Sequence, residues 1–139
     1  MKQFELVIAG GGLTAARAIK SYRDAGRGDS IALLSKESVL PYHRPALSKR
    51  YLRGETGAPF VEDEAFYRER DVEVLLETAV TAVDVDAGTV TTGRGGFAYG
   101  KLLLATGATP RRLEVPGADF AGVYTLRTLG DSDAIREAA

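Results

Sequence analysis

The sequence predicts an α/β fold in which a parallel sheet opens with a strand–helix–strand unit and carries an inserted antiparallel β-meander. The first observation is a short apolar run over residues 4–9 that leads directly into the turn Gly10-Gly11-Gly12. The second is another apolar run over residues 30–34, one helix later. The third is a loose alternation of apolar and polar residues over positions 80–104, which is typical of antiparallel strands.

The glycine turn has the pattern G-x-G-x-x-A, formed by Gly10, Gly12 and Ala15. The first glycine allows a sharp bend, the second lets a ligand approach the backbone, and the small third residue keeps the helix close to the strand. The free N–H groups and the positive dipole end of the helix then face a phosphate. Because the motif lies between a predicted strand and a predicted helix, it predicts a dinucleotide site. The alternative is a tight strand–helix turn that binds nothing.

The helix after this turn is expected over residues 13–25, with Gly26 and Gly28 ending it. Strand, helix and strand within about thirty residues form a crossover that is nearly always right-handed. An acid near the end of the second strand commonly holds the ribose hydroxyls of a nucleotide. Glu37 is the candidate, although it lies somewhat beyond the usual spacing of about 20 residues. The alternative for Glu37 is a solvated loop carboxylate.

The most basic stretch of the chain follows over residues 40–55. Pro41 and Pro45 exclude a regular strand or helix there, so we expect a rigid loop and then a short helix over residues 46–52. One interpretation is a proline-stiffened surface loop. The other is a loop laid over a flavin or nucleotide, with Arg44 and Lys49 turned inward.

The rest of the chain is expected to alternate between helices and short strands. The predicted elements are a helix over 62–70, a strand over 72–75, the meander over 80–104 with its last strand over 101–105, a strand over 123–126 and a helix over 129–139. Thr128 or Asp131 lies near the start of the last helix.

Composition excludes several classes of function. The length of 139 residues suits one domain, and a net charge of -1 without a basic block gives no indication of nucleic-acid binding. The absence of cysteine excludes disulfides, thiolate zinc sites, cysteine-ligated iron–sulfur clusters and a redox cysteine pair within these residues. Neither a signal peptide nor a membrane span is indicated, so we expect a cytoplasmic protein.

Three stretches resemble the N-terminal part of the FAD-dependent NAD(P)H:ferredoxin and rubredoxin reductases, the putidaredoxin reductase-like branch of the pyridine nucleotide-disulfide oxidoreductase superfamily. They are GGGLTAARA, PYHRPALSK and LLLATGATPR, of which the second is the most specific. The resemblance implies a Rossmann-like FAD-binding fold. It also implies that residues 1–126 are the N-terminal part of a FAD-binding domain and that residues 127–139 begin the connection to an NAD(P)H-binding domain.

The resemblance also assigns residues to parts of FAD. Those implied are Gly10, Gly12 and Ala15 at the pyrophosphate; Glu37 at the adenosine ribose; Arg44 and Pro45 lining the FAD; Lys49 and Arg111 at the flavin; Val80, Thr81 and Ala82 passing the adenine by main chain; Thr106 and Gly107 crossing the cofactor; and Leu13, Thr14 and Ala105 as further cofactor-binding residues beside these motifs. Lys49, implied near the reactive edge of the isoalloxazine, is the one residue expected to act in the chemistry.

The function implied is electron transfer from NAD(P)H through FAD to a ferredoxin or rubredoxin. Full-length family members are much longer and carry a second glycine motif, so we expect a fragment that is inactive by itself. One alternative is a non-catalytic FAD-fold module. Another is a related reductase acting on coenzyme A disulfide, which the absence of cysteine disfavours.

Overall fold

A computed structural model describes residues 1–139. In chain order the elements are β1 (Lys2–Ala9), α1 (Leu13–Asp24), β2 (Ile31–Leu34), a 3-10 helix (Arg44–Ser48), α2 (Glu64–Glu69), β3 (Val72–Leu75), β4 (Val80–Asp84), β5 (Thr89–Thr92), β6 (Gly95–Leu104) and α3 (Leu129–Ala138). The chain divides into a first unit, Met1–Pro41 with Phe60–Gly107, and a second unit, Tyr42–Pro59 with Ala108–Ala139.

All six strands lie in one sheet of the first unit, in the order β3-β2-β1-β6-β5-β4. The pairs β3–β2, β2–β1 and β1–β6 are parallel, whereas β6–β5 and β5–β4 are antiparallel. The predicted parallel sheet with an inserted meander is therefore confirmed. The last meander strand is longer than expected, because β6 pairs with β5 at its start and with β1 along its length.

Two separate apolar cores lie on the two faces of the sheet. On one face α1 and α2 contribute Ala15, Ile19, Phe66 and Tyr67 to a core with the strand residues Leu6, Ile8, Ile31, Leu33 and Val72. On the other face the meander contributes Val90 and Phe97, which pack with Phe4, Val7, Ala32 and Leu34. The central strand β1 is buried on both faces, which explains why its sequence is a nearly uninterrupted apolar run.

The second unit contains the 3-10 helix and α3. Ser132 on α3 is fully buried, and its hydroxyl donates to the carbonyl oxygen of Leu47 at 2.8 Å. Thr128 and Asp131 form a reciprocal capping box that starts α3. No helix of the structure has both the length and the apolar character that crossing a bilayer requires.

Two sequence-predicted elements of this unit are corrected. The expected helix over 46–52 is instead a 3-10 helix over Arg44–Ser48, and Pro45 lies in its first turn, where the missing proline N–H removes no helical hydrogen bond. The expected strand over 123–126 is wrong, since these residues form no strand. Val123 and Tyr124 are exposed, and without a neighbouring strand to accept their backbone hydrogen bonds an apolar run does not become a strand.

The last six residues of β6, positions 99–104, have a strand partner on one side only. Pairing with β5 covers residues 95–98, whereas pairing with β1 continues to Leu104. Leu104 is 61% exposed. An apolar strand edge that lacks a partner promotes association with other chains.

We therefore predict that a polypeptide of residues 1–139 is marginally stable and self-associates. Sedimentation over a range of concentrations measures this. A Leu104→Lys variant is expected to associate less, because a charge on an exposed strand edge opposes pairing. A stable monomer at all concentrations would contradict the prediction.

Candidate dinucleotide site

The glycine turn between β1 and α1 is held against the ends of the two strands that flank β1. The Gly10 N–H donates to the Leu34 carbonyl oxygen at 2.8 Å, and the Ala105 N–H donates to the Ala9 carbonyl oxygen at 2.8 Å. Gly10 has a φ of 122°, and a Cβ there would overlap the carbonyl oxygen of Ala105. Only glycine avoids both the strain and the clash. The turn and the ends of β2 and β6 thus meet at one edge of the sheet.

Gly12 provides an open approach to the start of α1. It is the N-cap residue, with a φ of -104°, and a Cβ built on it meets no atom within 4 Å. No side chain caps this end of the helix, and its first turn contains no acidic residue. The first N–H groups of α1 and the positive end of its dipole therefore have no side chain that accepts their hydrogen bonds or neutralises their charge. Bare backbone beside open space at a helix N-terminus fits a phosphate group.

The next three residues divide between packing and exposure. Ala15 is fully buried in the core between α1 and the sheet, as expected of a residue that lets the helix approach the strands closely. Leu13 and Thr14 are exposed. Their contacts with a cofactor remain predictions from the sequence.

The loop that carries Glu37 lies against the glycine turn. The Glu37 N–H donates to Oγ of Ser35 at 3.2 Å, and the Glu37 carbonyl oxygen accepts from the Glu77 N–H at 3.0 Å. Ser35 is buried, and its own Cβ lies 2.6 Å from where a Cβ on Gly11 would be. The structure thus brings the predicted pyrophosphate segment and the loop of the predicted ribose ligand together.

The segment that follows β6 reaches the same turn. The atoms nearest to a Cβ on Gly10 belong to Ala105 and Thr106, whose backbone nitrogen would lie 2.9 Å away. Gly107 then takes a φ of 73°, in the left-handed region that favours glycine. Ala105 and Thr106 therefore lie beside the glycine turn, close enough for both segments to contact one cofactor.

Residues 80–82 lie at the start of β4, the outermost strand of the meander. Val80 packs against the core on the meander side of the sheet, whereas Thr81 and Ala82 are exposed. The segment before them is tied to the Glu37 loop, because the Thr78 N–H donates to the Ser35 carbonyl oxygen at 2.6 Å. The main-chain role of residues 80–82 beside an adenine stays a prediction.

Four predicted residues belong to the second unit: Arg44, Pro45, Lys49 and Arg111. Within that unit, Arg44 donates to the Tyr42 hydroxyl at 2.8 Å and to the Arg127 carbonyl oxygen at 2.7 Å. Its guanidinium lies 4.8 Å from the centroid of the Tyr42 ring. Pro45, Lys49 and Arg111 are exposed. Their roles at a flavin remain predictions.

Sequence reasoning missed Gly11 and Ser35. Gly11 occupies a variable position of the G-x-G motif, and its need for glycine arises only from contact with Ser35. The available signal was the third consecutive glycine together with a small polar residue at the end of an apolar strand. Neither feature specifies a partner by itself.

The known proteins that this chain resembles in sequence are reductases. Residues 4–139 match the family model described as pyridine nucleotide-disulphide oxidoreductase. The chain is 39% identical over 134 residues to rubredoxin-NAD(+) reductase from Pseudomonas putida, covering 94% of this chain and 35% of that protein. It is 36% identical over 149 residues to monodehydroascorbate reductase 2 from Arabidopsis thaliana, covering 95% and 34%.

A solved structure shares the fold closely. The ferredoxin reductase for the CYP199A2 system from Rhodopseudomonas palustris superimposes with a TM-score of 0.89 at 34% identity, covering 99% of this chain and 34% of that one. The chain thus spans about a third of the length of the curated relatives it matches.

We predict that Gly12→Val abolishes FAD binding and leaves the fold largely intact. The valine side chain would enter the open space through which a pyrophosphate reaches the backbone, and no protein atom lies there to clash with its Cβ. Titration of FAD followed by fluorescence quenching measures the affinity.

The matched control is Gly28→Val, because Gly28 also has open space around a Cβ but lies in the loop before β2. This variant is expected to bind FAD like the unmodified protein. Equal FAD affinity in Gly12→Val and Gly28→Val would refute the site assignment.

Proposed function

Because the chain belongs to the pyridine nucleotide-disulphide oxidoreductase family, we propose that it forms the FAD-binding part of an NAD(P)H-dependent flavoprotein reductase that passes electrons to a ferredoxin or rubredoxin. The observation that carries the proposal is the bare, uncapped start of α1 at Gly12, open to a ligand and bordered by the Glu37 loop and the end of β6. We also propose a cytoplasmic location.

The residues of the chain bind and orient the cofactor. The N–H groups that begin α1 hold the pyrophosphate, and the Glu37 carboxylate accepts hydrogen bonds from the ribose hydroxyls. When bound, FAD would supply the redox chemistry, which is two-electron hydride transfer from NAD(P)H and one-electron transfer to the acceptor. No general base or nucleophile from this chain is needed. The 139 residues by themselves are expected to bind FAD far more weakly than the intact protein.

The choice of electron acceptor rests on the relatives. The similarity to rubredoxin-NAD(+) reductase and to a ferredoxin reductase supports a small iron–sulfur protein. The similarity to monodehydroascorbate reductase 2, at nearly the same identity, supports monodehydroascorbate as the second candidate acceptor. A disulfide acceptor is disfavoured, because these residues contain no cysteine to exchange with it.

Absorbance spectroscopy of the intact protein tests the proposal. A flavin band that NADH or NADPH bleaches without oxygen, and that ferredoxin or rubredoxin restores, is the expected result. A band restored by monodehydroascorbate alone would identify the second candidate. A band that neither nucleotide bleaches would identify a non-catalytic module, and no band after loading with FAD would contradict cofactor binding.

We predict that Lys49→Ala lowers the reduction potential of the bound flavin and slows reduction by NAD(P)H, with little change in FAD affinity. A nearby ammonium group attracts the negatively charged reduced cofactor more strongly than the neutral oxidised one. An interaction of about 1 to 4 kcal/mol corresponds to a shift on the order of 20 to 90 mV for two-electron reduction. Spectroelectrochemical titration measures the potential.

The matched control is Arg50→Ala, which removes a neighbouring exposed positive charge. Its flavin is expected to keep the potential of the unmodified protein. If Lys49→Ala leaves the potential unchanged, or if both variants shift it equally, Lys49 has no specific role at the flavin.

A further inference from the structure

Ser35 is a buried polar residue at the junction of the candidate site, and the sequence assigns it no role. It directly follows β2 and is 1% exposed. Its Oγ accepts the hydrogen bond from the Glu37 N–H at 3.2 Å. Its side chain therefore fixes the backbone at the residue that carries the proposed ribose carboxylate.

The backbone of the same loop is fastened to the end of β3. The Ser35 N–H donates to the Leu75 carbonyl oxygen at 2.9 Å, and the Ser35 carbonyl oxygen accepts from the Thr78 N–H at 2.6 Å. The Glu77 N–H donates to the Glu37 carbonyl oxygen at 3.0 Å. Since these three bonds use only backbone atoms, removal of the Ser35 hydroxyl leaves their donors and acceptors in place.

The other side of Ser35 faces the glycine turn. A Cβ on Gly11 would overlap Oγ of Ser35 and lie 2.6 Å from its Cβ. The two segments thus pack with no room for one additional carbon atom. A displacement of Ser35 changes the distance between the turn, where the pyrophosphate is proposed to bind, and Glu37.

We propose that Ser35 is a positioning residue for the dinucleotide. Through its hydrogen bond to the Glu37 N–H and its contact with Gly11, it sets the spacing between the pyrophosphate-binding turn and the ribose-binding carboxylate. The inference rests on the proposed role of Glu37 at the ribose. It is limited to binding of the adenosine half of the cofactor, because the Ser35 side chain contacts segments that are proposed to bind that half.

The test is a double-mutant cycle in FAD affinity, measured by fluorescence on the intact protein after removal of bound flavin. Ser35→Ala removes one hydrogen bond and is expected to weaken FAD binding about fivefold to tenfold. Glu37→Gln is expected to weaken it as well. Because Ser35 acts through Glu37, the double variant should bind no worse than Glu37→Gln within about twofold.

Two further variants keep the result interpretable. Ser38→Ala makes the same substitution at an exposed position of the same loop and is expected to leave FAD affinity unchanged. Gly11→Ala keeps the Ser35 hydroxyl but forces it from its position, so it should weaken FAD binding and lose that effect when combined with Glu37→Gln. It tests the inference independently if Ser35→Ala does not fold.

Hydrogen exchange without ligand gives a second readout. In Ser35→Ala the amide of Glu37 is expected to exchange at least about fivefold faster than in the unmodified protein. The amides of residue 35 and of Thr78, which donate to backbone carbonyl oxygens, are expected to exchange at the same rate in both proteins. An unchanged Glu37 amide, or multiplicative effects of Ser35→Ala and Glu37→Gln on affinity, would overturn the inference. If Glu37→Gln alone leaves FAD affinity unchanged, the ribose role in the proposed function fails, and the positioning role fails with it.

Discussion

The absence of Cβ atoms at Gly10 and Gly11 is the constraint on which the geometry of the site depends. At Gly10 a Cβ would overlap Ala105, the residue after β6, and at Gly11 it would overlap Ser35, the residue after β2. The turn can therefore lie between these two strand ends only without side chains. Gly12, by contrast, touches nothing at the equivalent position. Two glycines let the turn pack against the sheet, and the third leaves an opening toward a ligand.

The start of α1 has free N–H groups that no side chain of the chain caps. Helices commonly satisfy their first N–H groups with a serine, threonine or aspartate side chain. The start of α3 does so through Thr128 and Asp131, whereas the start of α1 has a glycine N-cap and no acid in its first turn. An anionic group from outside the chain is the natural partner for the uncapped end. The contrast between these two helices supports a phosphate-binding role for α1.

The sequence predicted the elements whose formation depends on local pattern. The bounds of β3 were predicted correctly, and α1 and α3 differ from the prediction by one residue at their ends. The strand expected over 123–126 failed because a strand requires a partner, and an apolar run does not reveal whether one is present. The roles of Gly11 and Ser35 were missed for a related reason, since their contact joins two segments that are distant in sequence.

Nuclear magnetic resonance of the 15N-labelled intact protein, titrated with FAD, tests the central claim most directly. The account predicts that the largest changes in amide chemical shift occur at Gly12, Leu13 and Thr14, with further changes at Glu37 and at residues 105–107. Saturable FAD binding that leaves the amides of the glycine turn and of the first turn of α1 unshifted would contradict the account.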